Sequence, residues 1–102
     1  MRRFTLLALV LTALFSSEQV EAGDVFEGRR VYVVHCTSCH GDNGIPLLPG
    51  TPNLARGEGL IAPDQMLLRS LRYGKRSMPG FESVLGRKEL LDVLAYVRSL
   101  RR

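Results

Sequence analysis

The segment Cys36-Thr37-Ser38-Cys39-His40 decides how this chain is read. Two thiols three residues apart fall on about one helical turn, with an imidazole directly after the second. A C-x-x-C-H run reads as an attachment site for a c-type haem. Such a macrocycle carries vinyl groups on neighbouring edges. Cys36 and Cys39 are spaced to add to both as thioethers, and His40 is then placed to ligate the iron. Three other chemistries also use paired cysteines. A structural zinc site needs four ligands in tetrahedral array, and His35, Cys36, Cys39 and His40 are too crowded to enclose one ion. A thioredoxin-like redox pair needs a preceding strand in a βαβ frame, which the flanking sequence does not offer. A plain disulfide between the two cysteines is the third.

Upstream, Arg2 and Arg3 precede an uncharged apolar run from Phe4 to Phe15, then a polar stretch ending Val20-Glu21-Ala22. That order is the pattern of a secretory signal peptide cleaved after Ala22. As a helix the run would reach only about 18 Å, against a bilayer core of about 30 Å. The alternative is an uncleaved N-terminal anchor. No cysteine lies near the junction, which argues against a lipoprotein. Residues 23–102 are then the mature domain. Their formal charge stays at the +4 of the whole chain, since Arg2 and Arg3 leave with Glu18 and Glu21. One domain of that size is marginal on its own core, and small domains usually depend on a staple, metal or cofactor. The two cysteines are too few for a disulfide scaffold.

The patterning predicts an all-α fold. One helix is expected from about Asp24 to Cys36, although Val31-Tyr32-Val33-Val34 favours a strand on propensity alone. A second is expected from Pro63 to Tyr73, with Pro63 at its first position and Gly74 past its end. Its apolar face is Leu67, Leu68 and Leu71; its polar face is Gln65, Arg69 and Arg72. A third runs from Arg87 to Leu100, with Leu90, Val93, Leu94, Val97 and Leu100 at helical spacing and Gly86 as N-cap. Arg98, Arg101 and Arg102 suit its C-terminal end. Between the first two helices, residues 41–62 form a Gly- and Pro-rich loop. Loops this long in small domains are functional or wrapped around something.

The chain resembles the class I cytochromes c of the short, monohaem bacterial kind over nearly all of residues 23–102. Cys36 to Gly44 (CTSCHGDNG) is similar to the family's C-x-x-C-H-G-x-x-G. Tyr73 to Phe81 (YGKRSMPGF) is similar to its G-K-x-x-M-P-x-F segment, and Leu90 to Leu100 to its C-terminal helix with a central aromatic. The resemblance implies a small cytochrome c fold, three main helices wrapped around one covalently bound haem c. It implies His40 and Met78 as the two iron ligands. Met66, inside a helix beside Leu67 and Leu68, is assigned to core packing. Gly28 and Tyr96 match the positions where the first and last helices cross. Pro52 matches the proline whose carbonyl accepts from the histidine ring, although Thr51 stands where glycine is usual. His35 shares a turn with His40 and reads as a partly exposed helix residue.

With both axial positions filled by protein, the resemblance implies an electron carrier rather than an enzyme. It would be periplasmic, with redox proteins as partners and no integral membrane span once mature; nucleic acid is not expected as a partner. Arg69, Arg72, Lys75 and Arg76 suggest an acidic docking surface on the partner. The competing readings are a haem enzyme or gas sensor with a displaceable sixth ligand, and a thiol-redox module.

Overall fold

The computed structural model describes residues 22–102, so the expected leader lies outside the described residues except for Ala22. Four helices follow in order: α1 Val25–His35, α2 Thr37–His40, α3 Asp64–Tyr73 and α4 Arg87–Ser99, with a 3-10 turn at Leu54–Arg56. Among the described residues no strand forms; an isolated bridge joins Lys75 and Met78. The all-α expectation holds.

Helix α1 begins where Asp24 accepts from the N–H groups of Phe26 and Glu27 at 2.8 and 3.0 Å, a side-chain cap on otherwise orphaned donors. Its strand-prone run becomes helical because one face has a partner. Gly28 and Tyr32 are buried against α4, while Val33 and Val34 stay exposed. Gly28 is the contact point. A β-carbon there would overlap the Asp92 carbonyl oxygen and lie 2.9 Å from the Tyr96 β-carbon. The two backbones touch only because that atom is missing. One turn on, the Tyr32 ring packs on Tyr96 at 5.1 Å between centroids and 59°, a tilted aromatic pair.

Helix α4 buries Leu90, Asp92, Val93, Leu94 and Val97. The core divides in two. Tyr32, Leu54, Val93 and Val97 form one part, and Phe81, Leu85 and Leu90 the other. Val31 and Leu71 pack against both. Asp92 is only 3% exposed. Its carboxylate accepts from the Asp24 N–H at 2.8 Å and from Lys88 Nζ at 2.9 Å, tying the start of α1 to α4.

Two local expectations change. Pro63 precedes the first helical residue rather than occupying it, and Asp64 opens α3. Arg98 does more than offset the helix dipole. It donates to the Leu60 and Ala62 carbonyls at 2.9 and 3.0 Å and to Asp64 at 2.8 Å, latching α4 to the entry of α3. The Arg102 N–H donates to the Ala55 carbonyl at 2.9 Å, so the C-terminus closes over the 3-10 turn.

Two outcomes follow from this packing. Gly28→Ala forces backbone apart, not a rotamer. The expected cost is about 1–3 kcal/mol, which a thermal melt reads as a drop of roughly 4–8 °C per kcal/mol. Asp92 sets the acid limit. Burial pushes its carboxyl up, but the Asp24 N–H and Lys88 outweigh burial and hold it below its ordinary value. A carboxyl lower in the folded chain stabilises above its unfolded pKa, and that contribution is lost as pH falls through the folded one. Stability should therefore decline below about pH 4. In an acid titration followed by circular dichroism, Asp92→Asn should be less stable at neutral pH and lose less on acidification.

Candidate functional site

Helix α1 does not run through the C-x-x-C-H segment. It stops at His35, Cys36 turns out of helical geometry at φ −120°, and a second short turn, α2, begins at Thr37. The Cys36 carbonyl accepts from Cys39 and His40 N–H at 3.4 and 3.0 Å, so both thiols and the imidazole share one wound turn. Gly41 ends it with φ +75°, a conformation that favours glycine. Tyr32 sets the height of this turn: its hydroxyl donates to the Gly41 carbonyl at 2.6 Å. Burial, with the neighbouring Cys36, pushes the phenol up to about 12, so it stays a donor.

The following loop folds back on the turn. Leu47 N–H donates to the Cys39 carbonyl at 2.9 Å, and Leu54 N–H to the Gly44 carbonyl at 2.9 Å. Glu58 and Asn53 then close the 3-10 turn through side-chain bonds to the Asn53 and Arg56 N–H groups. This arrangement leaves Ile45, Leu47 and Leu48, on the loop that follows the thiols, more than half exposed.

Cys36 and Cys39 are half-buried and not joined to each other. Burial, then the neighbouring Cys39, pushes the Cys36 thiol up to about 11. A redox-active thiol is shifted the other way, which disfavours the thioredoxin-like reading. Burial lowers the His40 pKa, against a smaller opposite pull from the Pro52 carbonyl. The ring is therefore neutral at pH 7, the form that binds a metal. Nδ1 is buried without a hydrogen-bond partner. Pro52 is thus beside His40, as the resemblance implied, but the bond to the ring is not closed.

Met78 is positioned by the other half of the chain. Helix α3 ends at Gly74 with φ +81°, where a β-carbon would crowd the Met78 carbonyl oxygen at 2.6 Å. Lys75 and Met78 exchange N–H to carbonyl bonds of 3.1 and 3.0 Å around a tight turn. Arg76 holds φ +54° within it, uncommon for a residue with a side chain. Phe81 and Glu82 N–H groups then bond the Leu71 and Arg72 carbonyls at 2.9 and 3.0 Å, satisfying the end of α3. The Met78 side chain packs on Phe81, Leu85 and Leu90. His35 does not join the thiols; its ring meets the edge of Phe81 at 5.7 Å. Cys36 lies against one core cluster and Met78 against the other, and Val31 and Leu71 bridge the two.

Met66 is corrected. It is 61% exposed, because Leu68 and Leu71 take the inner face of α3 and Met66 lies opposite them. It fills no core gap. Tyr32 and Arg98 were not assigned these roles from sequence. Tyr32 carries the signal of a helix-face aromatic, whereas nothing local marks Arg98 as a latch.

The residues fit a haem. Two thiols and an imidazole occupy one turn, the buried His40 Nδ1 has no partner, and apolar side chains of the following loop stand exposed. A groove of about 460 Å³ lies elsewhere, lined by Gln65, Leu68, Arg69, Arg72, Tyr73 and Arg87. It holds neither the thiols nor Met78.

Comparison with known proteins agrees with this chemistry. Residues 23–97 match the family model described as cytochrome c oxidase, cbb3-type, subunit III. Cytochrome c6 of Cyanidioschyzon merolae is 32% identical over 95 residues, covering 91% of this chain and 90% of the relative. The 1-butanol dehydrogenase (cytochrome c) of Thauera butanivorans is 30% identical over 89 residues, but the shared stretch is 13% of that protein. The solved KustC0563 c-type cytochrome superposes at a TM-score of 0.66 over 74% of this chain and 98% of that one. At 24% identity it speaks to the fold. The chain belongs to the class I, monohaem cytochrome c family, and its cofactor is one covalently bound haem c.

Proposed function

We propose that residues 23–102 are a periplasmic carrier of single electrons, exported by a signal peptide removed after Ala22. The family match begins at residue 23, and among the described residues no helix is long and apolar enough to cross a membrane. Cys36 and Cys39 would hold the haem by thioether bonds, and His40 and Met78 would ligate its iron. The observation that carries this reading is the pair of anchored turns. One presents two thiols and an imidazole; the other presents Met78, packed against the cluster of Phe81, Leu85 and Leu90. Bound there, the haem supplies one reversible ferric–ferrous couple. Met78 favours the reduced state, because a thioether sulfur is a better ligand for ferrous than for ferric iron. Two protein ligands leave no position for a substrate, which separates this reading from an enzyme or gas sensor. The dehydrogenase relative does not oppose it, since the shared stretch is a small part of that protein.

Partners are redox proteins that approach briefly. Arg69, Arg72, Lys75 and Arg76 lie on the helix and turn leading to Met78. They suit an acidic docking surface, which speeds encounter without tight binding.

Met78→Ala is the direct test. The holoprotein should lose the weak far-red absorption of an iron–thioether bond, fall in reduction potential and bind small ligands. Met66→Ala should leave the spectrum unchanged, and its exposure also predicts little change in the melt. An unaltered spectrum in the Met78 variant rules out the ligand assignment.

A further inference from the structure

We infer that the outward face of α1, built from Phe26, Arg29, Arg30, Val33 and Val34, is a docking surface for an anionic phospholipid bilayer. The inference stands on this helix and not on the electron-carrier reading, to which it adds a separate interaction with lipid.

At about 100° per residue, those five positions fall within about 140° of arc on one side of α1. The opposite side is taken, since Gly28 and Tyr32 are buried against α4. On the outward side Phe26 is 84% exposed, Val34 74% and Val33 54%. Arg29 and Arg30 stand exposed between them. A helix that is apolar on two sides normally has both covered. Exposed apolar side chains rimmed by charge mark contacts with proteins or membranes. An aromatic ring and valines with arginines among them compose a helix that lies in the bilayer interface. There the apolar side chains enter the acyl boundary. The arginine stems lie along them, and the guanidinium groups reach lipid phosphate.

Charge selects the occupant. The one acid of α1, Glu27, lies at the edge of the face. It stands 4.0 Å from Arg30 in a pair exposed on both sides. Pairs of that kind are weak, so a phosphate can take its place. The whole chain carries +4, a field that favours an anionic surface over a neutral one. A second copy of this chain is disfavoured. A two-fold contact centred on the face would set Arg29 of one copy against Arg30 of the other, and like charges repel. An acidic protein would have to bury its carboxylates beside Phe26 and Val34, where desolvation cancels much of the attraction. At a bilayer the phosphates stay at the wet headgroup level while the apolar side chains pass below them. Three such side chains give weak, reversible contact rather than anchorage.

The test is co-sedimentation of the haem-loaded protein, without residues 1–22, with vesicles of phosphatidylcholine alone or of an equal mixture with phosphatidylglycerol. Binding should need the anionic lipid and fall as salt rises. Phe26→Ala should weaken it about tenfold, as one ring leaves the acyl boundary. Arg29→Gln with Arg30→Gln should weaken it about 25-fold, about fivefold for each arginine. Arg101→Gln with Arg102→Gln removes the same charge elsewhere and should cost far less. All five side chains are exposed, so circular dichroism should show native helix content in each variant. In the reduced protein, nitroxide-labelled lipid should broaden the amides of residues 26–34. Undiminished binding by Phe26→Ala, an equal loss in the Arg101 and Arg102 variant, or broadening centred on residues 69–76 would leave only diffuse attraction and overturn the proposal. Failure to bind the anionic vesicles would overturn it too. So would self-association without vesicles that Phe26→Ala abolishes, which assigns the face to a second copy. Binding to polyglutamate that Phe26→Ala weakens as much would assign it to an acidic protein instead.

Discussion

The contact on which the fold depends is the crossing of α1 and α4 at Gly28. With no β-carbon in the way, the α1 backbone rests on the Asp92 carbonyl. That contact sets the height of everything one turn further on. Tyr32 is placed between the Tyr96 ring and the Gly41 carbonyl. Through Gly41 it fixes the turn that carries Cys36, Cys39 and His40. Asp92, which binds Asp24 and Lys88 on the same helix pair, locks the start of α1 at that register. The chemistry at the cysteines is thus held by a steric permission eight residues upstream.

A second framework carries Met78. Helix α3 is tied to α4 at its entry by Arg98 and to the following segment at its exit by Phe81 and Glu82. Both frameworks rest on α4, and their two core clusters meet at Val31 and Leu71. Neither cluster is large. The residues that would enlarge them, Ile45, Leu47 and Leu48, lie outside both on the loop that follows the thiols. A domain of this size with apolar side chains left at its site is organised around a cofactor.

The parts of the molecule that were legible in sequence are those where the signal is local. The C-x-x-C-H spacing, the 3.6-residue pattern of α4 and the glycine closing α3 each carry their own physical reason. The strand-prone run 31–34 was resolvable only by asking what it could pair with. Tertiary burial of Tyr32 then overrode propensity. Met66 misled because a helical methionine beside leucines suits a core, and one extra register step places it on the outer face. Arg98 had no signature as a latch, since it joins residues far apart in the chain. Arg98 reads as a helix-end charge until Leu60 and Ala62 are brought beneath it.

The central claim is that the haem held by Cys36 and Cys39 completes the core of this chain. The most direct measurement is thermal unfolding, by far-ultraviolet circular dichroism, of the haem-loaded protein against the chain with Cys36→Ala and Cys39→Ala and no haem. The account predicts a cooperative transition for the first and weak helicity with no cooperative transition for the second. A haem-free chain that melts cooperatively with native helix content would contradict it.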